Sequence, residues 1–310
     1  MKVGGLLLLL AAVQQSLPAQ DSAGSAGAGQ VSTYVLLSGI VGGKEGMTRL
    51  ADRLKQDGHR VFVIDPYQES LDSTDVSFAA LARRVDRLLD KENILHARVI
   101  GHGHGGAVGL RLASSYPSRV RELFLLDVGA LRISKTRIFS GSVKLIPLLV
   151  RIPGGRSLVE RRFKNGIREN LGKTAWFDRA TQRRYVSLVL DTPHAIAMAS
   201  RLAKAAEPEP VETVVNRIAV PVTVIKGGAP HSAAPDPSEL EVLAALGCRF
   251  QLVTLSDVGH FPHEESPGEV ANVVTATVQT DVAVEAHPDR NDQPYGIARC
   301  HVQPRNPGGY

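Results

Sequence analysis

The sequence predicts a doubly wound, mostly parallel α/β sheet that carries an inserted helical segment. Three observations predict it. Short runs that are apolar throughout alternate with amphipathic helical stretches, the pattern of parallel strands covered on both faces. The alternation stops over residues 131–216, where helical stretches and Pro/Gly turns follow one another without a convincing strand. It then resumes with two further strands, each followed by a helix. A chain of 310 residues, 43% of them hydrophobic, is long enough to bury the core of one such domain. Aromatics make up only 5%, so that core is expected to be Leu, Val, Ala and Ile.

The elements follow in order. One lysine precedes the apolar run Val3 to Val13, and a small polar stretch with an A-x-A at Ala26 to Ala28 comes after it. Residues 1–28 therefore read as a secretory signal and cleavage region, too short for the ~20 apolar residues of a membrane span. A soluble, secreted or periplasmic mature protein is expected. The first part of the core covers residues 29–130. Tyr34 to Leu37 is a strand, and Met47, Leu50 and Leu54 mark a helix stopped by Gly58. Val61 to Asp65 is a second strand, and Phe78, Leu81, Val85, Leu88 and Leu89 give an amphipathic helix. Ala97 to Gly101 is a third strand, followed by a helix through Val108, Leu110 and Leu112 that ends near Pro117. Leu123 to Asp127 is a fourth. After the insertion, the second part of the core, residues 217–280, holds strands at Val220 to Gly227 and Phe250 to Leu255. Its helices are Glu239 to Leu246 and Val270 to Val278. Residues 281–310 lack periodicity and read as a flexible tail.

Charge is distributed unevenly. Residues 131–207 carry sixteen Lys or Arg and five Asp or Glu, a local net of +11 in a chain whose total is +5. Such a segment fits anionic lipid or an acidic partner, or else a solvated helical face; no nucleic-acid partner is expected. Cys248 and Cys300 are the two cysteines, too few for a disulfide framework or a cysteine-based zinc site. They are either one bridge pinning the tail or two unrelated thiols.

The informative motif is VIGHGHGG, Val99 to Gly106. A buried strand turns straight into a Gly-rich helix start, the shape of a nucleophile elbow, whose backbone N–H groups stabilise developing negative charge. Read as G-x-S-x-G, the serine position is Gly103. Gly101, Gly103 and Gly106 also match G-x-G-x-x-G, and Asp127 stands 21 residues beyond Gly106. A dinucleotide loop belongs near the first strand, however, and two strand–helix units precede this one.

In these segments the chain resembles the α/β-hydrolase superfamily, in its lid-bearing esterase and epoxide-hydrolase-like branch, over roughly Ser32 to Gln279. VLLSGIVGG is similar to the first oxyanion strand and VFVIDPY to the next strand. VIGHGHGGAVGLRLASSYPSRVRELFLLD resembles the elbow, its helix and the following strand. Residues 131–216 fall where that branch inserts its lid. IAVPVTVIKGG is similar to the strand that carries the acid, and LSDVGHFPHEESPGEVANVV to the histidine loop and last helix. The resemblance implies a serine-hydrolase site, but its parts are incomplete. The nucleophile position is Gly103, the oxyanion His-Gly is Ser38-Gly39, and the usual acid position falls on Pro230. The catalytic histidine corresponds to His260.

Glycine cannot form an acyl-enzyme, so the ordinary mechanism is excluded. The remaining candidates are Asp127, placed where dehalogenase-like members carry their acid and able to orient His260; Ser38, as a relocated nucleophile; and His104, beside the elbow. Gly39 and Gly103 complete the elbow and oxyanion region. His102-x-His104 with His260-x-x-His263 and Glu264 looks metal-like, but the resemblance accounts for three of these histidines in nonmetal members. His231 falls in a turn read as flexible. No metal and no cofactor is expected. Two function classes follow: a degenerate, noncatalytic protein that binds a small apolar or ester-like ligand, or a partner, under the lid; and an enzyme in which His260, with Asp127, acts as general base for hydrolysis or elimination. The first is the reading adopted from the sequence.

Overall fold

The computed structural model describes residues 31–68, 74–135, 146–149, 151–191, 198, 201–202 and 204–276. The signal-like region and the tail, with Cys300, lie outside them. Six parallel strands form one sheet in the order β2-β1-β3-β4-β5-β6. They are β1 (Thr33–Leu37), β2 (Arg60–Ile64), β3 (Ala97–His102), β4 (Val120–Leu126), β5 (Val222–Gly227) and β6 (Phe250–Leu255). The expected strands are all present, with edges moved for physical reasons. Pro221 lacks an N–H and stays outside β5, while its carbonyl accepts from Leu123 N–H at 3.0 Å. Asp127, expected at the end of β4, lies just beyond it with φ +44°.

Before the insertion the helices are α1 (Gly43–Gly46), α2 (Thr48–Gln56), α3 (Phe78–Lys91) and α4 (His104–Ser115). The Ser77 hydroxyl caps α3 by accepting from Ala80 N–H at 3.2 Å. Between β4 and β5 lie α5 (Ile146–Leu149), α6 (Gly155–Arg168), α7 (Arg179–Leu190) and α8 (Val211–Asn216), with no strand among the described residues. The second core part adds α9 (Pro237–Ala244), α10 (Pro262–Glu265) and α11 (Pro267–Thr275). The Asp178 and Asp236 carboxylates cap α7 and α9.

Each face of the sheet has its own apolar layer. Leu81, Val85 and Leu89 of α3 and Val108, Leu110 and Leu112 of α4 bury one face. Leu50 and Leu54 of α2 and Val270 and Val274 of α11 bury the other. Helix α4 runs against the sheet because its first turn is glycine: a Cβ at Gly105 would stand 2.3 Å from the Leu37 carbonyl oxygen. That close approach sets the elbow beside the end of β1, at the point where the strand order reverses and where ligands bind in open α/β sheets.

Candidate active site

The carboxyl ends of β1, β3, β4 and β5 bring together Ser38, Gly103, Asp127 and the turn after Gly227. At Gly103 the backbone takes φ 51° and ψ −120°, a conformation only glycine adopts without strain. Its N–H donates to Leu126 O at 3.1 Å, and its carbonyl accepts from Gly106 N–H at 3.0 Å. A Cβ built there meets one atom within 4 Å, His260 Cε1, at 4.0 Å. The strand–turn–helix of a nucleophile elbow is thus complete in backbone, and its missing side chain would face His260.

Asp127 is fully buried. Its positive φ is tolerated because Asp is among the few non-glycine residues that visit this region. Two backbone bonds hold it: its N–H donates to Ile225 O at 2.9 Å, and its Oδ1 accepts from Gly227 N–H at 2.9 Å. Oδ2 accepts from His260 Nδ1 at 2.8 Å. Burial pushes the Asp127 carboxyl up, but the contacts from His231 and His260 outweigh it and bring the pKa down to about 2. An ionised Asp127 fixes the Nδ1–H tautomer of His260 and leaves the lone pair on Nε2. Nε2 has no hydrogen-bond partner among the described residues, and the side chain keeps 19% of its accessibility.

The loop bearing His260 is pinned by a residue the sequence reading did not single out. The Glu265 carboxylate accepts from the N–H groups of Gly259 (3.0 Å), Phe261 (3.2 Å), Gly172 (2.9 Å) and Lys173 (2.7 Å). The last two belong to the insertion, so one buried carboxylate joins it to the histidine loop. Next to it, Glu264 Oε1 accepts from Arg184 Nη2 at 2.9 Å and Tyr185 OH at 3.1 Å, both on α7. Trp176, Phe177, Tyr185 and Phe261 pack into an aromatic cluster across the same junction.

The other sequence candidates are placed as follows. Ser38 is buried, its N–H donates to Ile64 O at 3.1 Å, and its Oγ has no hydrogen-bond partner; the structure does not bond it to His260. Gly39 makes room for the His102 ring, whose Nδ1 would stand 3.0 Å from a Cβ there. His102 Nε2 donates to the His260 carbonyl at 2.8 Å, and burial, with His260 nearby, lowers its pKa to about 3. His104 Nδ1 is paired with Tyr67 OH at 2.9 Å; burial, again with His260, lowers it to about 4. Both rings are neutral supports of the elbow.

His231 departs most from expectation. The turn read as flexible is tied down: Gly228 N–H donates to Leu255 O and Ala229 N–H to Val258 O, at 2.8 and 3.0 Å. The His231 side chain has no accessible surface, and its Nε2 lies 3.5 Å from Asp127 Oδ2. That is an electrostatic contact rather than a well-formed hydrogen bond, because neither ring nitrogen finds a hydrogen-bond partner. The only sequence signal for it was its position one residue after Pro230, at the family's usual acid site.

Residues 34–273 match the model of the alpha/beta hydrolase family. Among curated relatives, the sn-1-specific diacylglycerol lipase ABHD11 of Mus musculus is 25% identical over 264 residues, 78% of this chain and 79% of its own. Lipase 3 of Moraxella sp. is 21% identical over 248 residues, 77% of this chain and 74% of its own. Among solved structures, an alpha/beta hydrolase fold protein from Burkholderia ambifaria aligns with a TM-score of 0.63 at 19% identity, covering 79% of this chain and 90% of that one. A putative lipase from Acinetobacter baumannii gives a TM-score of 0.60 at 21% identity, covering 79% and 83%. The parallel six-stranded sheet flanked by helices agrees with these likenesses, and the chain belongs to the alpha/beta hydrolase family.

Proposed function

We propose that the protein hydrolyses an apolar, ester-like substrate by direct attack of water, with His260 as general base and no covalent intermediate. The observation that carries this reading is the Asp127 Oδ2–His260 Nδ1 bond of 2.8 Å, with Nε2 left free beside the space over Gly103. The serine side chain that the elbow lacks leaves room for water. His260 Nε2 takes a proton from that water as its oxygen attacks the ester carbonyl. Backbone N–H groups at the start of α4 and near Gly39 face the developing oxyanion. The tetrahedral intermediate collapses as Nε2–H returns the proton to the leaving alkoxide. The names of the lipase relatives support an ester substrate. This places the general-base reading ahead of the noncatalytic one adopted from the sequence. Binding without turnover retains one observation in its favour, Gly103 itself.

Two further parts of the reading concern the ends and the insertion. Residues 1–28 serve as an export signal. Residues 131–216 serve as a lid that meets an anionic lipid surface. The support for the lid is that Leu148, Ile152 and Leu158 are exposed, as are Arg151, Arg161 and Arg162 of the same segment.

The test is turnover of a short-chain p-nitrophenyl ester. The wild type is expected to turn over without a burst, and His260→Ala to lose about 10²–10⁴-fold in rate. A fluorophosphonate is expected to label no serine. Turnover that survives His260→Ala, or stoichiometric labelling of Ser38, overturns the reading. Retention of an ester ligand with no turnover establishes the binding protein instead.

A further inference from the structure

A buried imidazole with neither nitrogen hydrogen-bonded is costly, because each polar atom has lost water without replacement. His231 is such a group, with no accessible side-chain surface and two unpartnered ring nitrogens. Its ring is held by a turn whose backbone is bonded on both sides, so the placement is enforced. It does not lie among apolar side chains alone. Its Nε2 approaches Asp127 Oδ2 at 3.5 Å, the same oxygen that His260 Nδ1 reaches at 2.8 Å. One ligand atom from each of Asp127, His231 and His260 falls within 4.8 Å of the others. Among the described residues this is the one set of three His, Cys, Asp or Glu that converges so. The histidines of the elbow and of the last loop, His102, His104 and His263, do not join it.

We infer that Asp127, His231 and His260 form a binding site for a divalent transition-metal ion of the zinc class. Two imidazoles and a carboxylate are the donors such an ion takes. Zinc–ligand bonds of about 2.0–2.2 Å in a tetrahedron separate ligand atoms by roughly 3.3 Å. The His231–Asp127 separation already has that value within a few tenths of an ångström, and the His260–Asp127 pair must open by about half an ångström. The ion supplies the partner that His231 lacks.

The consequence for the histidine is chemical. A neutral imidazole that coordinates through Nδ1 carries its proton on Nε2. Nδ1 gives up the proton it shared with Asp127, Nε2 gains one, and the net proton count of the ring is unchanged. The lone pair that faces Gly103 is then gone. The ion thus occupies the dyad and withdraws its base; this last step rests on the hydrolytic reading, whereas the binding site does not.

The experiment uses the full chain, stripped with a chelator and titrated with zinc sulfate alone. One ion per chain is expected to bind. His231→Gln, checked for its fold by circular dichroism, is expected to weaken binding by at least about a hundredfold, beyond the loss typical of an outer-shell partner. Cobalt(II) titrated into the wild type is expected to give the intense visible bands of a tetrahedral site, a readout that needs no variant. No stoichiometric zinc, affinity unchanged in His231→Gln, or the pale spectrum of octahedral cobalt overturns the site. Zinc is also expected to stop ester turnover in the wild type at the concentrations at which it binds. Bound zinc that leaves turnover intact keeps the site and overturns the blocking step. An enzyme inactive with and without zinc, yet binding it, counts against the hydrolytic reading alone.

Discussion

At the scale of single residues, Gly103 is the position on which the proposed chemistry turns. Its φ and ψ are those of a strained turn, and its missing Cβ would face His260. Gly103→Ser therefore adds the one absent group in the orientation the backbone dictates. A non-glycine residue there costs about 1–3 kcal/mol, so a lowered melting temperature is expected. The same variant is expected to become labelled by a fluorophosphonate at the new hydroxyl, and to lose that labelling when His260→Ala is added. A folded variant that stays unlabelled counts against an intact oxyanion region. Asp127 was legible in the sequence because it ends an apolar strand, and His260 because its loop resembles a known one. His231 was not legible, since its burial depends on a turn folding back over Asp127, far earlier in the chain. Ser38 and His104 were legible only as neighbours of the elbow, and the structure gives them an unpartnered hydroxyl and a tyrosine-bound ring.

At the scale of elements, the junction between α7 and the histidine loop is sensitive to pH. Burial raises the Glu264 carboxyl from 4.5 to about 7, although Arg184 and Tyr185 both favour its charged form. A folded-state value above the unfolded one means that the native state binds the extra proton. Stability from this group is full below about pH 4.5 and is lost as pH rises toward 7. Thermal melts of the wild type are expected to decline across that window relative to Glu264→Gln, which cannot titrate. Parallel curves for the two proteins overturn this assignment. The strands and helices themselves were legible, because continuous apolar runs and helical spacing carry local information. The carboxylate brackets at Glu264 and Glu265 were not, because they pair with backbone and side chains from the insertion some 80–90 residues away.

At the scale of the whole molecule, charge is segregated: +11 over residues 131–207 leaves the remainder at −6. Part of that excess is neutralised in the fold by acids outside the segment, as in the Arg132–Glu239 pair at 2.7 Å and the Lys173–Glu269 pair at 3.0 Å. Arg161, Arg162, Arg179 and Arg183 remain on the surface. Binding to anionic phospholipid vesicles is expected at low salt and to fall steeply as ionic strength rises, since exposed charges are screened beyond ~10 Å at 0.1 M. Absence of binding at low salt leaves the basic face merely solvated. The chain also contains a single tryptophan. Trp176 is 8% exposed and packs at a tilt against Phe177, Tyr185 and Phe261, with ring centroids within 6.0 Å, the last of these adjacent to His260. The molecule therefore carries its one indole, the group excited selectively at long wavelength, at the seam between insertion and histidine loop. Any movement that parts the seam wets the indole and shifts its emission to longer wavelength, so the opening of the site can be timed in stopped flow with light alone.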